Sequence, residues 1–176
     1  MNKQARVGVI VVVVFLAVPF LLNLGQNWRA SRDATTRDDQ GQIVESGNLG
    51  VLVTKVGDCV LLPSSVLAYV RNLEGEDGMT LTQIQGVPCT ELHDAEIVGE
   101  INFNDASYPG QEALLSRMVD NCISAYEDYT GASFSDSPHD VFPLAPTSES
   151  WAQGDRKGQC FAVNLEGKQL GASLRG

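Results

Sequence analysis

Residues 97–103 read Ile-Val-Gly-Glu-Ile-Asn-Phe, residues 108–110 read Tyr-Pro-Gly, and from Gln111 the chain runs Gln-Glu-Ala-Leu-Leu-Ser-Arg-Met-Val-Asp-Asn-Cys-Ile-Ser-Ala-Tyr-Glu-Asp-Tyr to Tyr129. In the first piece Ile97, Gly99, Ile101 and Phe103 alternate with Val98, Glu100 and Asn102, the period of a strand with one face on a core. In the last piece Leu115, Met118, Cys122, Tyr126 and Tyr129 recur at three- and four-residue steps and make one apolar helical face, with Asp120, Glu127 and Asp128 away from it. Gly131 follows as a helix C-cap. A strand with one face to cover and a helix with one apolar stripe predict an α+β fold, a small antiparallel sheet with one main helix packed on it.

Upstream, Val51, Leu52, Val53 and Val56 lead in extended form to Gly57-Asp58-Cys59, and a short apolar piece runs to Pro63. Ser64 to Arg71 predicts one or two helical turns capped by Ser64 or Ser65. Glu74 to Gly78 is an acidic, turn-rich loop, and Thr80 to Val87 a strand ended by Pro88. Downstream, Ser133 to Pro146 reads as irregular, because Pro138, Pro143 and Pro146 interrupt it. Thr147 caps a short helix carrying Trp151 and ending at Gly154. Gln159 to Leu165 is a strand with Phe161, Val163 and Leu165 on one face. Glu166-Gly167 turns it into a return strand over Lys168 to Leu174.

The four cysteines, Cys59, Cys89, Cys122 and Cys160, are spaced too widely for a zinc ribbon or a Cys-x-x-Cys redox site. An even set in an exported domain predicts two disulfides. Three connectivities are open, and sequential pairing, Cys59 with Cys89 and Cys122 with Cys160, is favoured because it closes the shorter loops. From Leu49 onward Lys and Arg number 7 against 18 Asp and Glu, a balance of −11. Such a domain repels nucleic acid, so no nucleic-acid partner is expected.

At the other end of the chain, Val7 to Leu24 holds four consecutive valines and no charge. Eighteen helical residues span about 27 Å, close to the hydrocarbon thickness of a bilayer. The best cleavage site, Trp28-Arg29-Ala30, puts tryptophan where a small side chain is needed. No cysteine follows the run to carry a lipid. A retained single-pass anchor is therefore expected, with the N-terminus inside and the domain outside, and the membrane as a partner through this helix. The chain of 176 residues divides into an anchor over 1–24, a polar linker over 25–48 and an extracytoplasmic domain over 49–176.

Candidate chemistry is sparse. His93-Asp94 has the residue types of a metal-dependent phosphohydrolase, but the remaining histidine, His139, brings no second cluster. Pairing of Cys89 in a disulfide removes a Cys-His nucleophile. Glu91, Asp94 and Glu96 do not have the spacing of a calcium loop, and there is no nucleophile elbow or phosphate-binding glycine loop. Asp155-Arg156 follows a helix end, where such pairs satisfy backbone groups. No catalytic residue, metal or cofactor is expected. If a ligand site exists, its residues are His93, Asp94, Trp151, Asp155 and Arg156.

Several landmarks resemble the actinobacterial septum formation domain. They are Gly57-Asp58-Cys59, Val87-Pro88-Cys89-Thr90-Glu91-Leu92-His93-Asp94-Ala95-Glu96 and Tyr108-Pro109-Gly110. Cys122, Pro146 to Trp151, Gly154-Asp155-Arg156, Cys160 and Ser173-Leu174-Arg175-Gly176 continue the set in order. Leu92 stands where that family usually has proline, and Ser64 to Gly78 is longer than usual. The resemblance implies a disulfide-bonded envelope protein, anchored or exported, with a link to cell division and no catalytic activity to carry over. The leading expectation is a membrane-anchored, extracytoplasmic, non-enzymatic interaction domain of the cell envelope with a protein partner. The alternative is a small-ligand or cell-wall-fragment binding module.

Overall fold

A computed structural model of the chain describes residues 34–72, 81–164 and 166–176. Its strands are β1 (Thr36–Arg37), β2 (Ile43–Glu45), β3 (Gly47–Gly50), β4 (Cys59–Leu61), β5 (Gln83–Val87), β6 (Ala95–Asn102), β7 (His139–Leu144) and β8 (Lys157–Asn164). Its helices are α1 (Ser64–Asn72), α2 (Gln111–Thr130) and α3 (Ser148–Ala152), with 3-10 turns at Val51–Val53 and Phe134–Asp136. Six strands form one sheet in the order β3-β5-β4-β6-β8-β7, antiparallel at every pairing, and β1 pairs with β2 beside it. The α+β fold with an antiparallel sheet and one long helix is as the sequence predicts.

Strand β6 sets the geometry of both sheet faces. Its register against β8 slips between Ile97 and Gly99, which face Phe161 and Cys160 in succession, so Val98 is an extra residue. A bulge of this kind resets the alternation. Ala95 and Ile97 therefore pack with Val60, Val66, Ile84 and Phe161 on the α1 side. Val98 and Phe103 instead pack with Leu114, Met118, Cys122 and Tyr126 on the α2 side. The single apolar face expected over Ile97 to Phe103 is thus divided between two cores. Gly99 faces α2 so closely that a Cβ there would sit 2.5 Å from Ala125 Cβ.

Helix α2 ends as predicted: Gly131 is left-handed (φ 69°) and its N–H bonds Glu127 O at 2.9 Å. Its buried stripe is Leu114, Met118, Cys122 and Tyr126, with Leu115 at the margin. The disulfides are Cys59–Cys89, tying β4 to the loop after β5, and Cys122–Cys160, tying α2 to β8. Each closes a loop of a size that contributes roughly 3–4 kcal/mol on the chain-entropy argument.

Three local expectations change. The polar stretch read as linker carries β1, β2 and the start of β3 in its second half, and the boundary at residue 49 falls inside β3. Arg37 holds that stretch to the domain through paired bonds to Asp58, at 2.5 and 2.6 Å. Residues 139–144, read as irregular because of proline, form β7. It is the edge strand, where Pro143 breaks no ladder. The return strand over Lys168 to Leu174 is absent because β8 already has a partner on each side. The tail instead reaches back to the segment just before β6, where Leu170 exchanges backbone hydrogen bonds with His93.

The membrane-spanning helix is also corrected. Among the described residues no helix is long and apolar enough to cross a membrane. The longest, α2, reaches about 30 Å but carries Glu112, Arg117, Asp120, Glu127 and Asp128. The expected anchor, Val7 to Leu24, lies outside the described residues. The transmembrane part of the fold class goes, and with it the signal-anchor, the single-pass topology with N-terminus inside and domain outside, and the membrane as a partner.

Replacing Gly99 with alanine should lower stability by about 1–3 kcal/mol, since Ala125 cannot yield without moving α2; the urea midpoint measures it. Burial pushes the His139 imidazole below its ordinary 6.5, against a smaller upward pull from Glu96. A histidine held neutral by the fold contributes stability above its unfolded value, lost as pH falls through that value toward the lower folded one. The melting temperature should therefore fall as pH drops below about 6.5, and His139→Gln should flatten that part of the profile.

Candidate functional site

The strand registers define two ends of the sheet. At one end β6 and β7 finish and β8 begins; at the other β6 begins, and the tail crosses at Leu170. Strand β6 separates them by about 25 Å at the usual rise per residue.

A cavity of about 320 Å³ opens at the first end, within the size range of small-molecule sites. Six segments build it: the 3-10 turn after β3, Leu81-Thr82 before β5, the start of α2, the end of β7, α3, and the start of β8. Val51, Leu81, Leu115, Phe142, Leu144 and Pro146 give it apolar walls. Its polar side comes from Thr147, Ser150, Asp155, Lys157 and Gln159.

That polar side is fixed before any ligand arrives. Thr147 and Ser150 form a capping box at α3, the Ser150 N–H donating to Thr147 Oγ1 at 3.1 Å and the Thr147 N–H to Ser150 Oγ at 3.0 Å. Ser150 Oγ also lies 2.9 Å from Asp155 Oδ2, to which it can donate, and the Lys157 N–H donates to Asp155 Oδ1 at 3.0 Å. The Lys157 ammonium donates to Thr54 O and Glu100 Oε1, each at 2.8 Å. Gln159 is 2 % exposed. Its Nε2 donates to Val51 O at 3.0 Å and to Thr54 Oγ1. Its Oε1 is a buried acceptor with no partner among the described residues. Gln159 lines the cavity while its unpaired acceptor is buried in that wall, so a ligand N–H or O–H meets it on a shift of this side chain.

The five residues expected at a ligand site do not converge. His93 and Asp94 lie at the far end. Asp94 Oδ2 accepts from the Leu62 N–H at 3.0 Å and Oδ1 from Gln169 Nε2 at 3.2 Å, so it joins β4 to the tail. His93 is fully buried, its Nδ1 donating to Glu91 O at 2.8 Å. Cys59 Sγ and a Glu96 carboxylate oxygen come together with a ring nitrogen of His93, all within 4.8 Å of one another, though this sulfur is committed to Cys89. Trp151 is a core anchor between Phe103 and Tyr108, capped by the Arg156 guanidinium 3.9 Å above its ring. Arg156 also donates to Trp151 O and Asp155 O, each at 2.7 Å. Asp155 alone of the five lines the cavity.

In the sequence Thr147 reads only as a helix cap and Gln159 only as a strand residue, and nothing singles out Ser150 or Lys157. One signal was there: Gln159 begins the apolar alternation that Phe161 and Val163 continue, so a glutamine takes a core position. The remaining wall residues run from Val51 to Asp155, too scattered along the chain to be grouped without the sheet order.

Fold and site together define a disulfide-bonded α+β domain with a lined cavity at one end of its sheet. Residues 56–160 match the family model described as septum formation, over more than half of the chain, and the chain belongs to that family. No curated protein and no solved structure matches it.

Arg156→Ala should uncover Trp151 and lower stability by about 1–2 kcal/mol, the range of a partly desolvated cation–π contact. Urea unfolding followed by tryptophan fluorescence reads both effects.

Proposed function

We propose that this chain is a binding module for a small amphipathic ligand, not an enzyme, and that the cavity at the β7–β8 end of the sheet receives it. The unpaired Gln159 Oε1, buried in a residue of the cavity wall, carries this reading. A buried acceptor without a partner is costly, and a ligand N–H or O–H relieves that cost on binding. The membrane-anchored interaction domain is set aside with the helix that supported it. Membership of a septum formation family supports a ligand from the cell wall. A wall fragment offers amide N–H and hydroxyl donors for Gln159 and Asp155, and acyl or alkyl groups for Leu115, Phe142 and Leu144.

Titration of the isotope-labelled protein with a digest of cell-wall fragments tests this by amide chemical shifts. Shifts should cluster at Val51-Leu52, Leu144 to Ser150 and Lys157 to Gln159, and the fragments should be recovered unaltered. Gln159→Leu should weaken binding about tenfold, the worth of one hydrogen bond. Leu52→Arg, at an exposed position on the rim, should block entry without disturbing the fold. Shifts confined to other surfaces, or none, would refute the assignment, and turnover of the fragments would make the chain an enzyme.

A further inference from the structure

The far end of the sheet holds a second arrangement, independent of the cavity. His93 is fully buried and its Nδ1 hydrogen points at Glu91 O, 2.8 Å away. A carbonyl oxygen only accepts, so the proton lies on Nδ1 and the Nε2 lone pair is bare. Among the described residues nothing partners Nε2. A backbone carbonyl on one ring nitrogen and a free lone pair on the other is how proteins prepare a histidine for a metal. Glu96, also fully buried, is held as firmly. Its Oε1 accepts from the Tyr129 hydroxyl and from Ser173 Oγ, and its Oε2 from the Leu174 N–H. These two side chains and Cys59 Sγ lie within 4.8 Å of one another, the one such group of donors among the described residues.

In the oxidised protein Cys59 Sγ is bonded to Cys89 and is a poor ligand. We infer that reduction of the Cys59–Cys89 disulfide opens a binding site for a zinc-type divalent cation, held by Cys59, Cys89, His93 and Glu96. A small dithiol supplies the two electrons. Its thiolate attacks Cys89 Sγ, the less buried of the two sulfurs, and Cys59 leaves as a thiolate. The second dithiol sulfur then displaces Cys89, so the reductant becomes a cyclic disulfide and the protein gains two thiols. The cation replaces the two thiol protons, which pass to solvent.

Two thiolates beside the Glu96 carboxylate, away from water, form a cluster of like charges that calls for a cation. The donor set of two sulfurs, one imidazole and one carboxylate suits tetrahedral zinc. Donors at zinc-ligand radii stand roughly 3.5 Å apart, so the group must contract by about an ångström. The tail segment Leu170 to Leu174, which contacts both His93 and Glu96, covers the site.

The test is cobalt(II) titration of the full chain after reduction with a dithiol and its removal without air. The reduced protein should take one equivalent and show a thiolate-to-cobalt charge-transfer band with the visible bands of a tetrahedral site, and the oxidised protein should show neither. Cys122→Ser with Cys160→Ser should keep the spectrum, whereas Cys59→Ser with Cys89→Ser should abolish it. His93→Gln should weaken binding at least tenfold. If His93→Gln does not fold, X-ray absorption of the zinc-loaded native protein decides, with two sulfurs and one imidazole expected and an all-sulfur or all-oxygen shell refuting the site. Failure of the reduced protein to bind cobalt overturns the inference. So does unfolding on reduction that cobalt does not reverse.

Discussion

The Glu96 carboxylate is the interaction on which the arrangement of this domain turns. It lies at the start of the central strand, without solvent exposure, where an unpaired charge would cost several kcal/mol. Three donors remove that cost: Tyr129 from the last turn of α2, and Ser173 and the Leu174 N–H from the tail. One side chain thus joins a strand, the long helix and the C-terminal segment. The desolvated Tyr129 hydroxyl beside this carboxylate is pushed above its ordinary value, so it keeps its proton and donates it. Arg175 stacks 4.7 Å above the Tyr129 ring, closing the same corner from outside.

The sheet ends divide the labour. The end at Glu96 is tied down by one disulfide, a histidine and a buried acid. The opposite end is left concave, because six segments meet around the start of β8 without filling the space. Lys157 and Gln159 point their donors at the turn after β3, and that is what holds an otherwise peripheral loop as a cavity wall. Gln159 thus belongs both to the apolar cavity's wall and to the buried polar contacts behind it.

The parts of this fold that follow from short-range pattern were readable. The α2 stripe, its glycine cap and the strand character of β6 need only neighbouring side chains, and pairing of the cysteines in sequence follows from loop length. Long-range competition governed the rest. The bulge at Val98 is invisible to alternation because it depends on how β8 registers against β6. The tail could not be a return strand because β7 had claimed the free edge of β8, a fact about a segment that prolines disguised. Of the five expected ligand residues, His93-Asp94 and Trp151-Asp155-Arg156 stand at opposite ends of a strand, which no residue type announces. The family resemblance was legible from ordered cysteines and short landmarks, and it carried no information about the cavity.

The position of β8 has a further consequence, for the order in which the chain acquires its structure. It is the last strand in sequence yet sits between β6 and β7 in the sheet. During synthesis, β6 and β7 emerge with no direct contact to make, each exposing a backbone edge until Lys157 to Asn164 arrives to satisfy both. Cys59 and Cys89 can meet well before this, while Cys122 waits for Cys160, which β8 itself carries. The first crosslink is therefore a local event and the second coincides with closure of the sheet. A chain interrupted before β8 would present two unpaired strand edges, a template for association with its own copies.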